Sequence, residues 1–307
     1  DYSVEGEESE KSFQKTKEEI LKTIRKSAEN PAIPFAVFKV TGIFKAELLE
    51  KAQTEAELNE EEQELFDHSK EILVEICELA HQLKVRLFID AEESWIQTTI
   101  DNLTYEMMER FNHDTAIIYN TYQMYRHDML ANLKAAVETA QEKNYYLGVK
   151  LVRGAYLEKE RQKAHEDEYS EPLHVSKEDT DRDYDLGVEL CLKNVERVHF
   201  CMGTHNEASC LRLCDAMNAL DIPSNHPNIY FAQLLGMSDN ISYNLAASGY
   251  NVAKYVPYGP VDAVMPYLFR RAEENSSIAG QTSREFALLQ KEVNRRNNAW
   301  KTTDISS

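Results

Sequence analysis

The feature that most constrains the fold is a regular alternation between short apolar segments and longer amphipathic ones. Seven segments rich in strand-forming residues recur, at 35–41, 85–91, 115–123, 146–154, 197–204, 228–235 and 250–258. Between them lie helical patterns such as residues 60–84, in which apolar side chains repeat with a period near 3.6. Near-continuous apolar strands separated by helices are typical of a parallel sheet buried on both faces. The pattern therefore predicts a doubly wound sheet or a (β/α)8 barrel.

Two observations favour the barrel. The first residues, DYSVEG, supply the end of an eighth strand, so the chain is interpreted as beginning inside its first strand. No glycine-rich GxGxxG turn follows the first apolar segment, as a doubly wound dinucleotide-binding fold would require. Because no internal linker rich in proline, glycine or serine divides the chain, a single domain spanning residues 1–307 is predicted.

Charge and composition narrow the classes of partner. With 34 Lys and Arg residues against 53 Asp and Glu residues, the formal net charge is -19, which argues against nucleic acid as a partner. No apolar run approaches the ~20 residues that span a bilayer, so any membrane contact is expected to be peripheral. The five cysteines, without a CxxC motif, are expected to be reduced thiols of a cytosol-like compartment.

Polar side chains gather where the predicted strands end, which is where barrels of this kind carry their chemistry. They are Lys39, Asp90, Gln123, Lys150, Arg153, His205, Asn206 and Tyr255. Taken singly, Lys39 could be a salt-bridge partner and His205 a hydrogen-bonding group of the scaffold. Asp90 with Glu92 and Glu93 could bind a hard metal ion, but no second carboxylate cluster falls at another strand end. No metal site is therefore predicted.

Two arginines, Arg270 and Arg271, stand side by side in a helical pattern just after the loop YVPYGP. From these residues alone, the ordinary explanation is a solvated pair that bonds to Glu273 or Glu274. Planar guanidinium groups also bind a carboxylate through two parallel hydrogen bonds, better than a point charge does. A site for a small carboxylate is therefore the alternative.

Six longer motifs can be compared with known families as a set: FKVTG, FIDAEE, VKLVRGAYLEKER, GTHNEAS, FAQLLGM and KYVPYGPVDAVMPYLFRRAEENSS. In this order and spacing they resemble proline dehydrogenase, the flavoenzyme family that oxidises L-proline to Δ1-pyrroline-5-carboxylate. The resemblance runs from DYSVEG to about residue 280. It implies a distorted (β/α)8 barrel that holds FAD at the carboxyl ends of its strands, with the last helix lying across the barrel mouth. It also implies that residues before Asp1 are missing.

The same resemblance implies the residues of the site. Those expected to bind proline are Lys39, Tyr156, Leu235, Tyr255, Arg270 and Arg271. Those expected to contact FAD are Gln123, Lys150, Gly154, Ala155, Tyr156, Lys177, His205, Asn206 and Glu274. Lys39, Asp90 and Lys150 are expected to act in catalysis, the first two beside the substrate carboxylate and Lys150 near the flavin. Glu5 is expected to pair with Arg270 as a gate over bound substrate.

Two positions depart from the family's best-known bacterial members. Those members have an arginine at position 150 and a lysine at position 153, whereas this chain has Lys150 and Arg153, as in the mitochondrial-type branch. Position 157, often tryptophan, is Leu157, so aromatic stacking on the cofactor from that position is absent. Lys150 can still place a positive charge near the flavin, as a point charge instead of a planar fork.

The leading hypothesis is a monofunctional, FAD-dependent proline dehydrogenase that catalyses the first step of proline catabolism and passes electrons to a membrane quinone. The alternatives are an FAD-dependent hydroxyproline dehydrogenase, a Schiff-base aldolase or metal hydrolase that uses Lys39 or Asp90, and a non-catalytic barrel that serves as a binding module. A separate pyrroline-5-carboxylate dehydrogenase is the expected downstream partner. The expected location is the bacterial cytoplasm, peripheral to the inner membrane, or alternatively the mitochondrial matrix or inner membrane.

Overall fold

The structure is a computed structural model that describes residues 1–262, 264–265, 268–269, 286–287 and 289–296. In this part of the chain seven strands form one sheet in sequence order, and each neighbouring pair is parallel. The strands are β1 Phe35–Lys39, β2 Arg86–Asp90, β3 Ile118–Gln123, β4 Leu147–Val152, β5 Val198–Gly203, β6 Ile229–Leu234 and β7 Val252–Tyr255. The helices described are α1 Glu10–Glu29, α2 Ala46–Gln53, α3 Glu60–Leu83, α4 Ser94–Phe111, α5 Met129–Glu142, α6 Leu157–Glu166, α7 Lys177–Lys193, α8 Glu207–Ala219 and α9 Asp239–Ala247.

Contacts across the inside of the sheet show that it curls into a barrel. The ring of Phe35 on β1 lies 4.9 Å from that of Tyr230 on β6, measured between centroids. Arg86 on β2 donates a hydrogen bond of 3.2 Å to the Tyr230 hydroxyl. The hydroxyl of Tyr255 on β7 donates to the carboxylate of Asp90 on β2 over 2.7 Å. Strands this far apart in the order meet only if the sheet closes on itself, so the predicted barrel is confirmed.

The first residues of the chain occupy the position between β7 and β1 without forming a regular strand. A parallel bridge joins Tyr2 to Tyr258, just beyond β7. On the other side, the backbone N–H of Gly6 donates to the Thr41 hydroxyl over 3.1 Å, and that of Glu7 donates to the Thr41 carbonyl over 2.9 Å. The segment DYSVEG therefore lies at the place predicted for the end of an eighth strand.

Helix α3 illustrates why the amphipathic segments fold as predicted. At its start, the Asn59 side chain accepts from the N–H of Glu62 over 2.9 Å, and the Glu62 carboxylate accepts from the N–H of Asn59 over 3.1 Å. Its end is marked by Lys84, whose φ of 54° is left-handed. The apolar face is buried against the sheet through Ile72, Leu73, Ile76, Cys77 and Ala80. Because full burial of a large aliphatic side chain contributes about 1.5–3 kcal/mol, packing stabilises this helix more than its caps do.

The cysteines belong to the scaffold. All five have free thiols, and four of the five are buried. Burial raises the pKa of Cys201 and of Cys210 to about 12, so both thiols are protonated at neutral pH and serve as small core residues. None of the helices in the described part of the chain is both long and apolar enough to cross a bilayer.

Candidate active site

Four strands bring charged or polar side chains to the centre of the barrel mouth. Lys39, Asp90 and Tyr255 are the last residues of β1, β2 and β7, and Lys150 lies on β4. Although charged, Lys39, Asp90 and Lys150 are only 6%, 6% and 7% exposed. Burying an unpaired charge is costly. The three groups must therefore be paired with one another.

Asp90 is the centre of this cluster. One carboxylate oxygen, Oδ1, accepts from Lys150 Nζ over 2.5 Å, and the other accepts from the Tyr255 hydroxyl over 2.7 Å. Lys39 Nζ lies 3.5 Å from Asp90 Oδ2. Burial opposes ionisation of Asp90, but the positive charges of Lys150 and Lys39 outweigh it and lower its pKa to about 2. Asp90 is therefore a carboxylate throughout the physiological pH range.

Lys39 remains charged despite its burial. Burial alone would lower its pKa, but Tyr156 and the carboxylates of Asp90 and Glu5 raise the pKa above its ordinary value. Lys39 therefore shares the Asp90 carboxylate with Lys150, and the nearby carboxylates of Glu5 and Glu92 also favour its charged form. Its ammonium group, charged and only 3.5 Å from its nearest carboxylate oxygen on Asp90, is a donor that can bind a small carboxylate at the barrel mouth.

Aromatic rings hold the ammonium group of Lys150 near the centre of the barrel. Its Nζ lies 4.7 Å from the centroid of the Tyr255 ring and 5.4 Å from that of Phe88. Both distances fall within the range of cation–π attraction. Lys150 is thus fixed by Asp90 on one side and by two rings on the others.

Glu92, considered above only as a metal ligand, is a second buried carboxylate at the mouth. It accepts from the N–H of Thr41 over 3.0 Å and also from the Thr41 hydroxyl. Its carbonyl accepts from Gln123 Nε2 over 2.7 Å, so this one residue ties together the ends of β1, β2 and β3. Within the described residues, no three His, Cys, Asp or Glu side chains converge as metal ligands would. The sequence did contain a signal for this position. Residues 90 and 92 in FIDAEE are two apart, and side chains two apart in an extended segment point to the same side.

We expect Glu92→Gln to change how stability depends on pH. Burial raises the pKa of Glu92 from 4.5 to about 7, with Lys39 opposing the shift. Between these two pH values the folded protein keeps the proton on Glu92, whereas the unfolded chain releases it. The contribution of Glu92 to the free energy of unfolding therefore falls as pH rises from about 4.5 to about 7. A shift of this size corresponds to roughly 3 kcal/mol. Urea unfolding across this pH range should show that the free energy of unfolding of the variant rises relative to that of the wild type as pH rises. Parallel stability curves would contradict this account of Glu92.

The residues expected to contact FAD near β3 and β4 are joined by a hydrogen bond from backbone to side chain. Gln123 ends β3, and its Oε1 accepts from the N–H of Ala155 over 3.4 Å. Gly154 has a φ of 143°, and a Cβ at this position would lie 2.4 Å from the ring of Tyr125. Only glycine fits both constraints. The turn after β4 is therefore fixed against the end of β3.

The remaining expected contacts lie at helix starts. Asn206 caps α8, with its side chain accepting from the N–H of Ser209 over 3.2 Å. His205 precedes it, and its Nδ1 lies 3.0 Å from the Ser238 hydroxyl. Lys177 is the first residue of α7. Lys177, His205 and Asn206 thus place a cation, an imidazole and an amide beside helix N-termini, where phosphate groups bind well. Lys150 and Gln123 add a second cation and a second amide from the strands. The donor set fits FAD.

Other predicted residues lie around the same opening. Tyr156, which immediately precedes α6, is buried, and its hydroxyl donates to Glu5 Oε2 over 3.5 Å. Leu235 follows β6, and its N–H donates to the carbonyl of Tyr255 over 2.9 Å. Arg270, Arg271 and Glu274, with the helix expected across the mouth, lie outside the described residues.

One anchor of the site was not predicted. The carboxylate of Glu160 on α6 accepts from the N–H of Ser94 over 2.6 Å and from its hydroxyl over 2.5 Å. Next to it, Lys159 pairs with Glu93. The first turn of α6, which follows Tyr156, is thus joined to the first turn of α4, which follows the Asp90 strand end. Nothing in the spacing of these residues indicates the contact, because they are more than sixty positions apart.

Comparisons with known proteins agree with this geometry. Residues 1–284 match the family model described as proline dehydrogenase. "Proline dehydrogenase 1, mitochondrial" of Homo sapiens is 41% identical over 225 residues, which cover 72% of this chain and 37% of the relative. "Hydroxyproline dehydrogenase" of Xenopus laevis is 37% identical over 243 residues, which cover 78% of this chain and 52% of the relative. This chain therefore spans about a third to a half of these two relatives.

The fold has solved counterparts. The crystal structure of proline utilization A (PutA) from Bdellovibrio bacteriovorus, inactivated by N-propargylglycine, superposes with a TM-score of 0.78 at 22% identity. The superposition covers 89% of this chain and 29% of that chain. This likeness supports the barrel assignment, while the family model and the sequence relatives carry the family assignment. The chain belongs to the proline dehydrogenase family.

Proposed function

We propose that this chain is a single catalytic domain, residues 1–307, of an FAD-dependent enzyme that oxidises L-proline to Δ1-pyrroline-5-carboxylate in the first step of proline catabolism. The observation that carries the proposal is the buried cluster at the barrel mouth, in which Lys39 and Lys150 share the Asp90 carboxylate. Buried ammonium groups at a barrel mouth suit an anionic substrate, and family membership indicates which one.

The substrate carboxylate would bind to Lys39, together with Arg270 and Arg271. Lys39 is suited to this role because its ammonium group is buried at a strand end and is only loosely paired, 3.5 Å from Asp90. The apolar ring of proline would pack against Tyr156, Leu235 and Tyr255. Contacts at both ends of so small a substrate fix its orientation, which is the main contribution that the protein makes to a hydride transfer.

FAD, when bound, supplies the acceptor for the hydride that leaves the carbon next to the proline nitrogen. The residues that would hold it are Gln123, Lys150, Gly154, Ala155, Tyr156, Lys177, His205, Asn206 and Glu274. Lys150 contributes a positive charge in a buried position, where electrostatic effects are stronger than in water. Asp90 fixes the ammonium group of Lys150 there.

The substrate amine must be neutral before it gives up hydride. Proline in water carries an ammonium group at neutral pH, so a proton has to leave. Lys39, Arg270 and Arg271 would favour the neutral amine, because like charges repel. Glu5, which accepts a hydrogen bond from Tyr156, would pair with Arg270 and close the site over bound substrate.

Electrons would leave the enzyme to a membrane quinone, reached by peripheral contact with the membrane. The product would pass to a pyrroline-5-carboxylate dehydrogenase. The likeness to mitochondrial relatives supports a location in the mitochondrial matrix or inner membrane.

The test of this function is an absorption spectrum followed by anaerobic titration with L-proline. The purified protein, supplied with FAD, should show flavin bands at about 380 and 450 nm, and the second band should bleach on addition of proline. D-proline, whose carboxylate projects from the opposite face of the ring, is the matched control and should leave the band intact. A flavin-free protein, or a flavin that L-proline does not bleach, would favour the aldolase, hydrolase or binding-module alternatives.

Hydroxyproline is the second candidate substrate, because the Xenopus relative is named for it. We expect Tyr255 to decide between the two substrates, since its ring lies beside Lys150 and its hydroxyl bonds to Asp90 in the space that a ring substituent would need. Tyr255→Ser should raise the ratio of kcat/KM for hydroxyproline to that for proline by about ten- to a hundredfold. Tyr255→Phe keeps the ring and removes only the hydroxyl, so it should raise the ratio by less than Tyr255→Ser does. An unchanged ratio in Tyr255→Ser would remove this role.

A further inference from the structure

Arg153, just beyond the end of β4, connects three segments of the chain. Its Nε lies 2.6 Å from Asp181 Oδ1 on α7. Nη1 donates to the Thr204 hydroxyl over 2.7 Å, and Nη2 donates to the Ser209 hydroxyl over 3.1 Å. The guanidinium carbon also lies 4.2 Å from the centroid of the Tyr184 ring. One side chain therefore joins the end of β4 to α7 and to the connection between β5 and α8.

The contacts on the β5–α8 side converge on the backbone around Asn206. The Thr204 hydroxyl, which accepts from Arg153, also accepts from the N–H of Asn206 over 3.0 Å. Ser209, the other partner of Arg153, donates its N–H to the Asn206 side chain over 3.2 Å. His205 lies between these anchored positions. The turn that carries both His205 and Asn206 is thus held at two points by one guanidinium.

The contacts on the α7 side reach Lys177. Asp181 accepts from Arg153 through Oδ1 and from Lys177 through Oδ2. Tyr184, one turn further along α7, is buried beneath the guanidinium. The first turn of α7, and with it Lys177, is therefore tied to the same arginine.

We infer that Arg153 is a positioning residue for the flavin site, which arranges Lys177, His205 and Asn206 without contacting the cofactor itself. This inference rests on the proposed binding of FAD. Arg153 points away from the barrel centre, whereas Lys150, three residues earlier, points into it toward Asp90. The lysine and arginine at these two positions are consequently not interchangeable in this chain. A flexible ammonium group cannot reach three acceptors in fixed directions and also stack on a ring, as the planar guanidinium does.

The test is the affinity of the apoprotein for FAD, measured by quenching of flavin fluorescence. Arg153→Lys should raise the Kd for FAD by about tenfold or more. At saturating FAD, the KM for proline should stay within about twofold of the wild type, because Arg153 makes no contact with the Lys39 cluster.

The matched control is Arg197→Lys. Arg197 also donates to a neighbouring connection, at Asn144, and stacks on a tyrosine ring at 4.3 Å, but it precedes β5 at the opposite end of the barrel. Its FAD affinity should equal that of the wild type.

A Kd for FAD within about twofold of the wild type in Arg153→Lys would overturn the inference. If that variant does not fold, as judged by circular dichroism, Thr204→Val and Ser209→Ala decide instead. Each removes one acceptor of Arg153, and each should weaken FAD binding at temperatures well below the Tm of its apoprotein, where the variant is folded. Unchanged FAD affinity in both would equally overturn it. Failure of the wild-type protein to bind FAD would instead contradict the proposed function, so the two failures are distinguishable.

Discussion

Asp90→Asn should destabilise the protein by about 3–5 kcal/mol, the largest effect on stability that we expect from one substitution. The carboxylate neutralises Lys39 and Lys150 in a site where all three groups are less than a tenth exposed. Lys39, Lys150 and Tyr255 now share the two oxygens of the carboxylate as donors. An asparagine would replace one oxygen by an N–H₂ donor, so at least one of the three would face another donor. Two buried ammonium groups would lose the carboxylate with which both of them pair. Urea unfolding of the purified variant at neutral pH measures the loss.

A second substitution distinguishes stability lost through unpaired charge from stability lost through altered packing. Lys150→Met, added to Asp90→Asn, removes one of the stranded ammonium groups and should restore part of the lost stability. Proline oxidation should remain absent in the double variant, because both residues belong to the proposed site. The matched control is Asp239→Asn, which breaks the pair of Asp239 with Lys254 on the outside of the barrel and should cost about 1 kcal/mol or less. Equal losses in Asp90→Asn and Asp239→Asn would show that the central cluster is not charge-paired in solution.

The alternation of apolar and amphipathic segments was sufficient to predict the fold, although not the ends of the strands. All seven strands lie inside the predicted segments, and each is shorter than predicted. Residues 115–117 illustrate the reason: Ala116 and Ile117 precede β3 and are as buried as the strand itself. A connection packed under the barrel has the same hydropathy as a strand. Hydropathy therefore locates the strands without showing where their hydrogen bonding stops.

The polar residues at the strand ends were predictable for a different reason. A parallel barrel places the carboxyl ends of its strands around one opening, so Lys39, Asp90 and Tyr255 had to be neighbours once the barrel was inferred. The contacts between helices were not predictable in this way. The bond from Ser94 to Glu160 and the fork of Arg153 join residues whose separation in sequence follows no period. They depend on how neighbouring helices tilt, which a single sequence does not encode in its local pattern.

Lys39→Met should raise the KM for proline by about thirtyfold or more, the largest effect on substrate binding that we expect. Removing a desolvated partner of a charged group costs about 2–5 kcal/mol, and each 1.4 kcal/mol is about tenfold in affinity. The fold should survive, because Asp90 keeps Lys150 and Tyr255 as partners. Flavin content, measured by absorbance, should match that of the wild type. Lys254→Met is the matched control: Lys254 neighbours Tyr255 on β7, but its ammonium group donates to the Met237 carbonyl over 2.8 Å, outside the barrel. Its KM should not change.

The substrate can be altered instead of the enzyme to test the same contact. Prolinamide keeps the ring and the amine but lacks the negative charge, so a lysine that binds the carboxylate has little to contribute to it. Lys39→Met should therefore lose most of its effect when prolinamide replaces proline. Arg271→Met should behave in the same way, with KM raised well over tenfold for proline, if the arginine pair shares the carboxylate with Lys39. Glu5→Ala should have a milder effect, since a partly exposed ion pair contributes about 1 kcal/mol or less. A defect in Lys39→Met that is equally large for proline and prolinamide would mean that Lys39 orients Asp90 and Tyr156, not the substrate carboxylate.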